Sequence, residues 1–395
     1  MSSSYPLPLP ALLLLLCFCS VFSNSQISNQ KSSDALSLPI FKHPVSGQYV
    51  AQISRGTTRR PVKLVVDLGG PFTGVDCRQS STHRSVPFPS LECSKAGGSG
   101  SSVAERGELV EDLVTVGSYV VEGQVADSVL GVDRFLFHCM PRSALRRLSP
   151  TGGVNGVVGL GRSRMSLPHQ FSMAHLLDRK FALCLSASGG QLLIGDALSR
   201  TEISKSLIYT PLITSGDDSS SHQHLVSVDS MRIEGEPGVV KVNGRARLST
   251  TAPHTILQSS IYQAFTEKYI KAVANATRAE SVWPFKTCFA TENGGSDDLP
   301  AVDLVLQSKM VKWRIGGRNL MVEVKGGVRC LGMLDGGYDM ADEIVIGSHQ
   351  LEENLLEFDM ARSMLGLSSS LVNRGTSCAD LKLESGWTRQ QHASS

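Results

Sequence analysis

The chain has 395 residues and carries 38 Lys and Arg against 36 Asp and Glu, a formal charge of +2. That balance, with no run of basic residues interleaved with aromatics, excludes a nucleic-acid-binding footprint. Hydrophobic residues at 41% against 19% charged exclude a disordered chain, and the length allows a large buried core in two or three domains.

Residues 1–25 read as a signal peptide: the apolar run Ala11–Cys19 is too short to span a bilayer, and small residues at Ser23 and Ser25 mark the expected cut. No other segment is long and apolar enough for a membrane span. Asn24–Ala35 is polar and Ser-rich, so disorder is expected there and regular structure from about Leu38. Alternation predicts a strand over Gln48–Ile53, then a hairpin of Glu108–Val116 with Tyr119–Ala126 around Gly117-Ser118, and a strand over Arg134–Cys139. Ser166-Leu167-Pro168 opens a helix to Leu177, and Phe181–Leu185 and Gln191–Ile194 follow as strands. Thr201–His224 has the weakest pattern, with a surface loop at Ser215–Ser221. Alternation resumes at Leu225–Ile233. Ser259–Ala274 places Ile261, Phe265, Tyr269 and Ala272 on one helical face, and the sequon at Asn275 makes that residue a glycosylation candidate. Val302–Val305, Val311–Ile315, Leu320–Val324 and Glu357–Leu367 read as further strands, giving a mainly β chain.

One stretch organises the rest. Leu64-Val65-Val66-Asp67-Leu68-Gly69-Gly70 is a buried strand ending in an acid and a tight glycine turn. Asn155–Gly161 follows as an apolar strand closed by glycine. Arg247–Ala252 and Glu343–Ser348 stand in the same relation, so the chain reads as a duplicated lobe.

These residues, with KFALCLS, TILQSSIYQAFTEKYIKAVA, CLGMLDGG and IVIGSHQLEENLLEFDMARSMLGLSSS, resemble the pepsin-like aspartic proteinases. The chain is most similar to the plant branch of basic 7S globulins, extracellular dermal glycoproteins and xylanase inhibitors. The resemblance implies a bilobal pepsin-like fold, with an N-terminal lobe over 38–205 and a C-terminal lobe over 206–382. It also implies disulfides Cys77–Cys139, Cys184–Cys378 and Cys288–Cys330. Cys93 is left over, because the Gly/Ser-rich link Ser94–Ser102 stands where the family has a cysteine-rich block.

An aspartic proteinase needs two carboxylates sharing one proton across a water. Asp67 stands at the first position, followed by Leu68 where the family has Thr, with Gly70 where a hydroxyl residue orients the acid. At the second position Ser249 replaces the acid, and a serine hydroxyl neither holds negative charge at neutral pH nor supplies the shared proton. Leu334-Asp335-Gly336 imitates the motif but is read as a turn between strands. No Gly-x-Ser-x-Gly elbow or His-Glu-x-x-His helix is present, and Gly159-Leu160-Gly161-Arg162 lacks the Lys-Ser/Thr of a phosphate loop.

The resemblance then implies a secreted, catalytically defective homologue in the apoplast or cell wall. Its partner would be a glycoside hydrolase, a xylanase or a xyloglucan endoglucanase, with no nucleic acid, membrane, metal or cofactor, and the protein would act as a monomer. Family inhibitors place a His four residues before the last Cys, where this chain has Arg374, which becomes the candidate inhibitory contact. The alternatives are an acid endopeptidase with an altered active site, and a seed storage or cell-wall glycoprotein.

Overall fold

The computed structural model describes residues 35–79, 82–87, 90–91, 107–121, 124–126, 129–149, 152–199, 201–213, 222–273, 276–290, 299–324 and 326–381. The signal peptide, Cys93 with its Ser94–Ser102 link, the Ser215–Ser221 loop and Asn275 lie outside these residues. No helix among the described residues is long and apolar enough to cross a membrane.

Three sheets carry the described chain, one of fifteen strands, one of seven and one of four. Alternation produces them: Ala35–Lys42, Tyr49–Arg55 and Arg60–Asp67 pair antiparallel in succession, with Leu36, Leu38, Ile40, Ile53, Leu64 and Val66 buried. Ala35, ahead of the expected start near Leu38, is already in a strand, where it pairs with Gly195 at the end of the Gly189–Gly195 strand.

The same local arrangement occurs in both halves. Arg60–Asp67 runs parallel to Gly156–Gly159, aligning Asp67 with Gly159, and Gly156–Gly159 lies antiparallel to Gly74–Val75. In the second half Val240–Leu248 runs parallel to Ile344–Ile346, aligning Leu248 with Ile346, and Ile344–Ile346 lies antiparallel to Thr255–Leu257. Close approach demands the glycines. A Cβ on Gly159 would stand 2.4 Å from the Gly70 carbonyl oxygen, and one on Gly347 would stand 2.3 Å from the His254 carbonyl carbon.

Two of the expected pairings are different. Glu108–Val116 does not form a hairpin with the next strand. It pairs with Leu130–Cys139, and Ser118–Val121 folds instead on Gln124–Ala126 and Ala35–Lys42. Glu357–Leu367 is not one strand. Leu355–Asp359 and Met364–Leu367 form a hairpin that joins Lys180–Ser186 and Ile208–Pro211 in the fifteen-stranded sheet. The strands of residues 206–382 are therefore shared between that sheet and the other two.

Leu167–His175 is helical, with Ser166 as N-cap and Leu176 ending it in the left-handed region at φ 54°. Ser259–Ala272 is the longest helix among the described residues and buries Ile261, Tyr262, Phe265 and Tyr269, the face its spacing predicts. Arg142–Leu148 is a further helix that periodicity does not announce, since it buries no residue. One continuous apolar core includes Leu64, Phe135, Phe171, Phe265, Trp313 and Phe358. A second cluster of Ala182, Cys184, Leu193, Leu355, Leu371 and Cys378 lies under the C-terminal segment.

Candidate functional site: a floor with one acid

Asp67 ends its strand where the chain turns, and its Oδ1 accepts the Gly69 amide at 3.1 Å. Its backbone carbonyl accepts Leu160 N–H at 2.9 Å and Gly70 N–H at 3.1 Å. Burial pushes the Asp67 carboxyl above its usual range, while the Gly69 and Gly70 amides and the charge of Arg247 pull the other way. None of these groups is an acid. Gly70 offers no hydroxyl, and a Cβ there would lie 3.0 Å from the Asp67 Cγ.

The turn of the second half reaches across to support the first. Thr250 Oγ1 accepts Leu68 N–H at 2.9 Å and donates to the Val66 carbonyl at 2.6 Å. Both ends are closed to water, with Leu68 0% and Thr250 2% exposed. Leu68 has no hydroxyl, so no reciprocal side-chain bridge runs the other way. Sequence reasoning assigned Thr250 no role.

Ser249 directly precedes Thr250 and is 4% exposed. Its amide donates to the Ile346 carbonyl at 2.9 Å, and its Oγ accepts Ala252 N–H at 3.1 Å and meets Thr251 Oγ1 at 3.2 Å. No base contacts the Ser249 hydroxyl among the described residues, so it is a turn-former without the partner that makes a serine nucleophilic. Among the described residues no second carboxylate is hydrogen-bonded to Asp67 or Ser249, whereas an aspartic dyad shares one proton between two acids across a water.

Asp335 stands in a different environment. Its carboxylate takes Ser259 Oγ at 2.5 Å and Lys286 Nζ at 3.0 Å, and these partners hold it below the usual carboxylate range. It aligns with Leu257 in the seven-stranded sheet and caps its own turn through Gly337 N–H. It serves that turn and pairs with Lys286.

The weakly patterned segment before Leu225 is part of the floor. His222 O accepts Arg162 N–H, and His224 O accepts Leu248 N–H, tying the Gly159–Arg162 loop to the strand before Ser249. The Gln223 side chain sits over Gly69, where a Cβ would meet its Oε1 at 1.9 Å. His224 Nε2 lies 3.0 Å from the Leu160 carbonyl, and the ring packs against Phe181 and Phe358. Burial lowers its pKa to about 4, so it is a neutral wedge that donates through Nε2. The only sequence signal was its place just ahead of an alternating strand.

Cys77–Cys139, Cys184–Cys378 and Cys288–Cys330 are bonded. His83 lies with Cys77 and Cys139 in a cluster of metal-ligand type, but both sulfurs are consumed by the disulfide. Arg374 ends a short 3-10 turn at Val372–Arg374, closed by Gly375 at φ 71°. The exposed guanidinium donates to Ser206 Oγ at 2.6 Å and Ser369 Oγ at 3.1 Å. No acid pairs with it among the described residues.

Two family models match, xylanase inhibitor N-terminal over residues 49–196 and xylanase inhibitor C-terminal over residues 224–369. A Nicotiana benthamiana protein named probable aspartic proteinase GIP2 is 38% identical over 94% of this chain and 98% of its own. The crystal structure of edgp superimposes with TM-score 0.79 at 37% identity, covering 88% of this chain and 98% of that one. Soybean basic 7S globulin gives 0.78 at 33% identity, covering 88% and 98%. The aspartic proteinase from Irpex lacteus, 16% identical with TM-score 0.59 over 87% of this chain and 99% of that one, shares the pepsin-like fold.

Proposed function

The chain belongs to the xylanase-inhibitor family of pepsin-like proteins, and from that premise we propose that it is a secreted, catalytically defective homologue that binds and blocks a cell-wall glycoside hydrolase, a xylanase or a xyloglucan endoglucanase. The observation that carries this reading is Ser249, bound into its own turn beside a floor that keeps one acid. Three disulfides fit an oxidising compartment outside the cell. In this reading the protein works as a monomer in the apoplast or cell wall, without metal or cofactor, and Asn275 carries glycan.

Occlusion is the mechanism. Arg374 is an exposed cation on a turn braced by Cys184–Cys378 and oriented by two neutral hydroxyls. A guanidinium held this way is suited to a bidentate pair with a carboxylate of the target's catalytic pair. The test is inhibition of purified fungal xylanase and endoglucanase by wild type, Arg374→Ala and Asp67→Asn. Wild type and Asp67→Asn inhibit equally, whereas Arg374→Ala inhibits at least about tenfold more weakly, the loss of one charge-assisted contact. Unchanged hydrolase rates at micromolar protein would overturn the proposal.

The peptidase reading has one observation in its favour, the name of the Nicotiana benthamiana relative. Pepstatin-sensitive cleavage of a denatured protein at mildly acid pH, lost in Asp67→Asn, would establish it. The storage reading is favoured by similarity to soybean basic 7S globulin. Abundance in seed with no inhibition of any hydrolase would establish that one.

A further inference from the structure

A cavity of about 280 Å³ opens between the Gly161–Arg164 loop, the first turn of the Leu167–His175 helix and the start of the Lys180–Ser186 strand. Arg162, Arg164, Arg179 and Lys180 line it together with His169, and no acidic side chain among the described residues does. Of the lining cations Lys180 is paired, its Nζ donating to Asp196 at 3.3 Å, while Asp359, beside the lining Met360, takes Arg362 Nη1 at 2.9 Å.

The arginines are short of partners. Arg162 donates through Nη2 to Ser363 Oγ, but its Nη1 is buried with no hydrogen-bond partner among the described residues. Arg164 and Arg179 are exposed and make no ion pair among those residues. Folding thus brings four cations to one concavity whose floor includes Phe181 and Met360. Like charges beside apolar walls repel more strongly than in open water, and an anion reverses the sign of that interaction. Burial, with Arg179 and Arg164 alongside, holds the His169 imidazole below its usual pKa, as a crowded cationic site would.

The chemistry is that of side chains. Gly161 N–H and Arg162 N–H are committed to the Gly70 and His222 carbonyls. Ser166 Oγ and Ser172 Oγ donate to the Ser163 and Asp178 carbonyls. With those amides and hydroxyls committed, recognition falls chiefly to the guanidinium forks, whose planar donors match two oxygens of a phosphate or a carboxylate.

We propose that this cavity binds a small oxyanion ligand through Arg162, Arg164 and Arg179, with the charged head a phosphate or the carboxylate of an acidic sugar. The site is independent of Arg374 and of the inhibitory reading. Through Gly161, whose N–H donates to the Gly70 carbonyl, it adjoins the turn after Asp67.

The test is calorimetric titration of the full secreted protein with inorganic phosphate, galacturonate and galactose, repeated on Arg164→Gln, Arg179→Gln and the double variant. Both arginines are exposed, and melting temperature confirms that the variants fold. Saturable binding is expected, weakened about tenfold by each substitution. Phosphate binding alone identifies a phosphorylated ligand, and galacturonate binding alone identifies an acidic sugar. No saturable binding of either anion up to about 10 mM, equal affinity in the double variant, or equal binding of galactose would each overturn the proposal.

Discussion

Thr250→Val tests whether one hydroxyl ties the two halves together at the floor. Thr250 Oγ1 bridges Leu68 N–H and the Val66 carbonyl, with both partners buried. Valine keeps the volume and removes both hydrogen bonds, leaving the Leu68 amide without its acceptor. An unsatisfied buried donor costs about 1–3 kcal/mol, and the weakened carbonyl brings the expected loss to about 2–4 kcal/mol. Thr250→Ser is the matched control: it keeps the hydroxyl and loses one methyl group, about 1 kcal/mol of burial. Urea denaturation of the oxidised protein reads both midpoints, and the valine variant should unfold first. If serine costs more than valine, packing dominates and the bridging hydroxyl is not what holds the turns together.

Acid should destabilise the fold through its buried imidazoles. Unfolded His224 takes a proton below about pH 6.5, whereas in the fold burial holds it neutral to about 4. Between those values the unfolded state binds more protons, so stability falls as pH falls, by up to about 3 kcal/mol for a fully buried group. His254, also lowered to about 4, adds to this, while Asp67 and Glu357, both raised by burial, act in the opposite direction. The difference between wild type and His224→Phe isolates the term, and equal slopes from pH 6.5 to 4 would refute it. Replacing Cys184 and Cys378 together by Ala should cost about 2–4 kcal/mol and make 372–380 the first site of limited proteolysis, since that disulfide pins the segment carrying Arg374. Intact 372–380 in the double variant would show that packing alone holds it. Asp335→Asn should leave hydrolase inhibition unchanged, because its partners are Ser259 and Lys286; any loss of inhibition would place that acid in the functional surface.

Sequence alone determined what depends on residue type and short-range period. Alternation located the strands at Tyr49–Arg55 and Leu225–Ile233, and helical spacing located Ser259–Ala272. The acid at Asp67 and the hydroxyl at Ser249 were legible because a missing functional group needs no coordinates to be missed. Tertiary structure decided which distant pieces meet. Thr250 supports a turn 182 residues away, His222–His224 threads between the two halves, and Leu355–Asp359 joins Lys180–Ser186 rather than the strands near it in sequence. Arg162, Arg164, Arg179 and Lys180 look like separate surface charges along the chain and share one cavity only after folding. Local periodicity reports which face of an element is apolar, whereas partner choice is set by backbone groups and charges whose neighbours arrive from far along the chain.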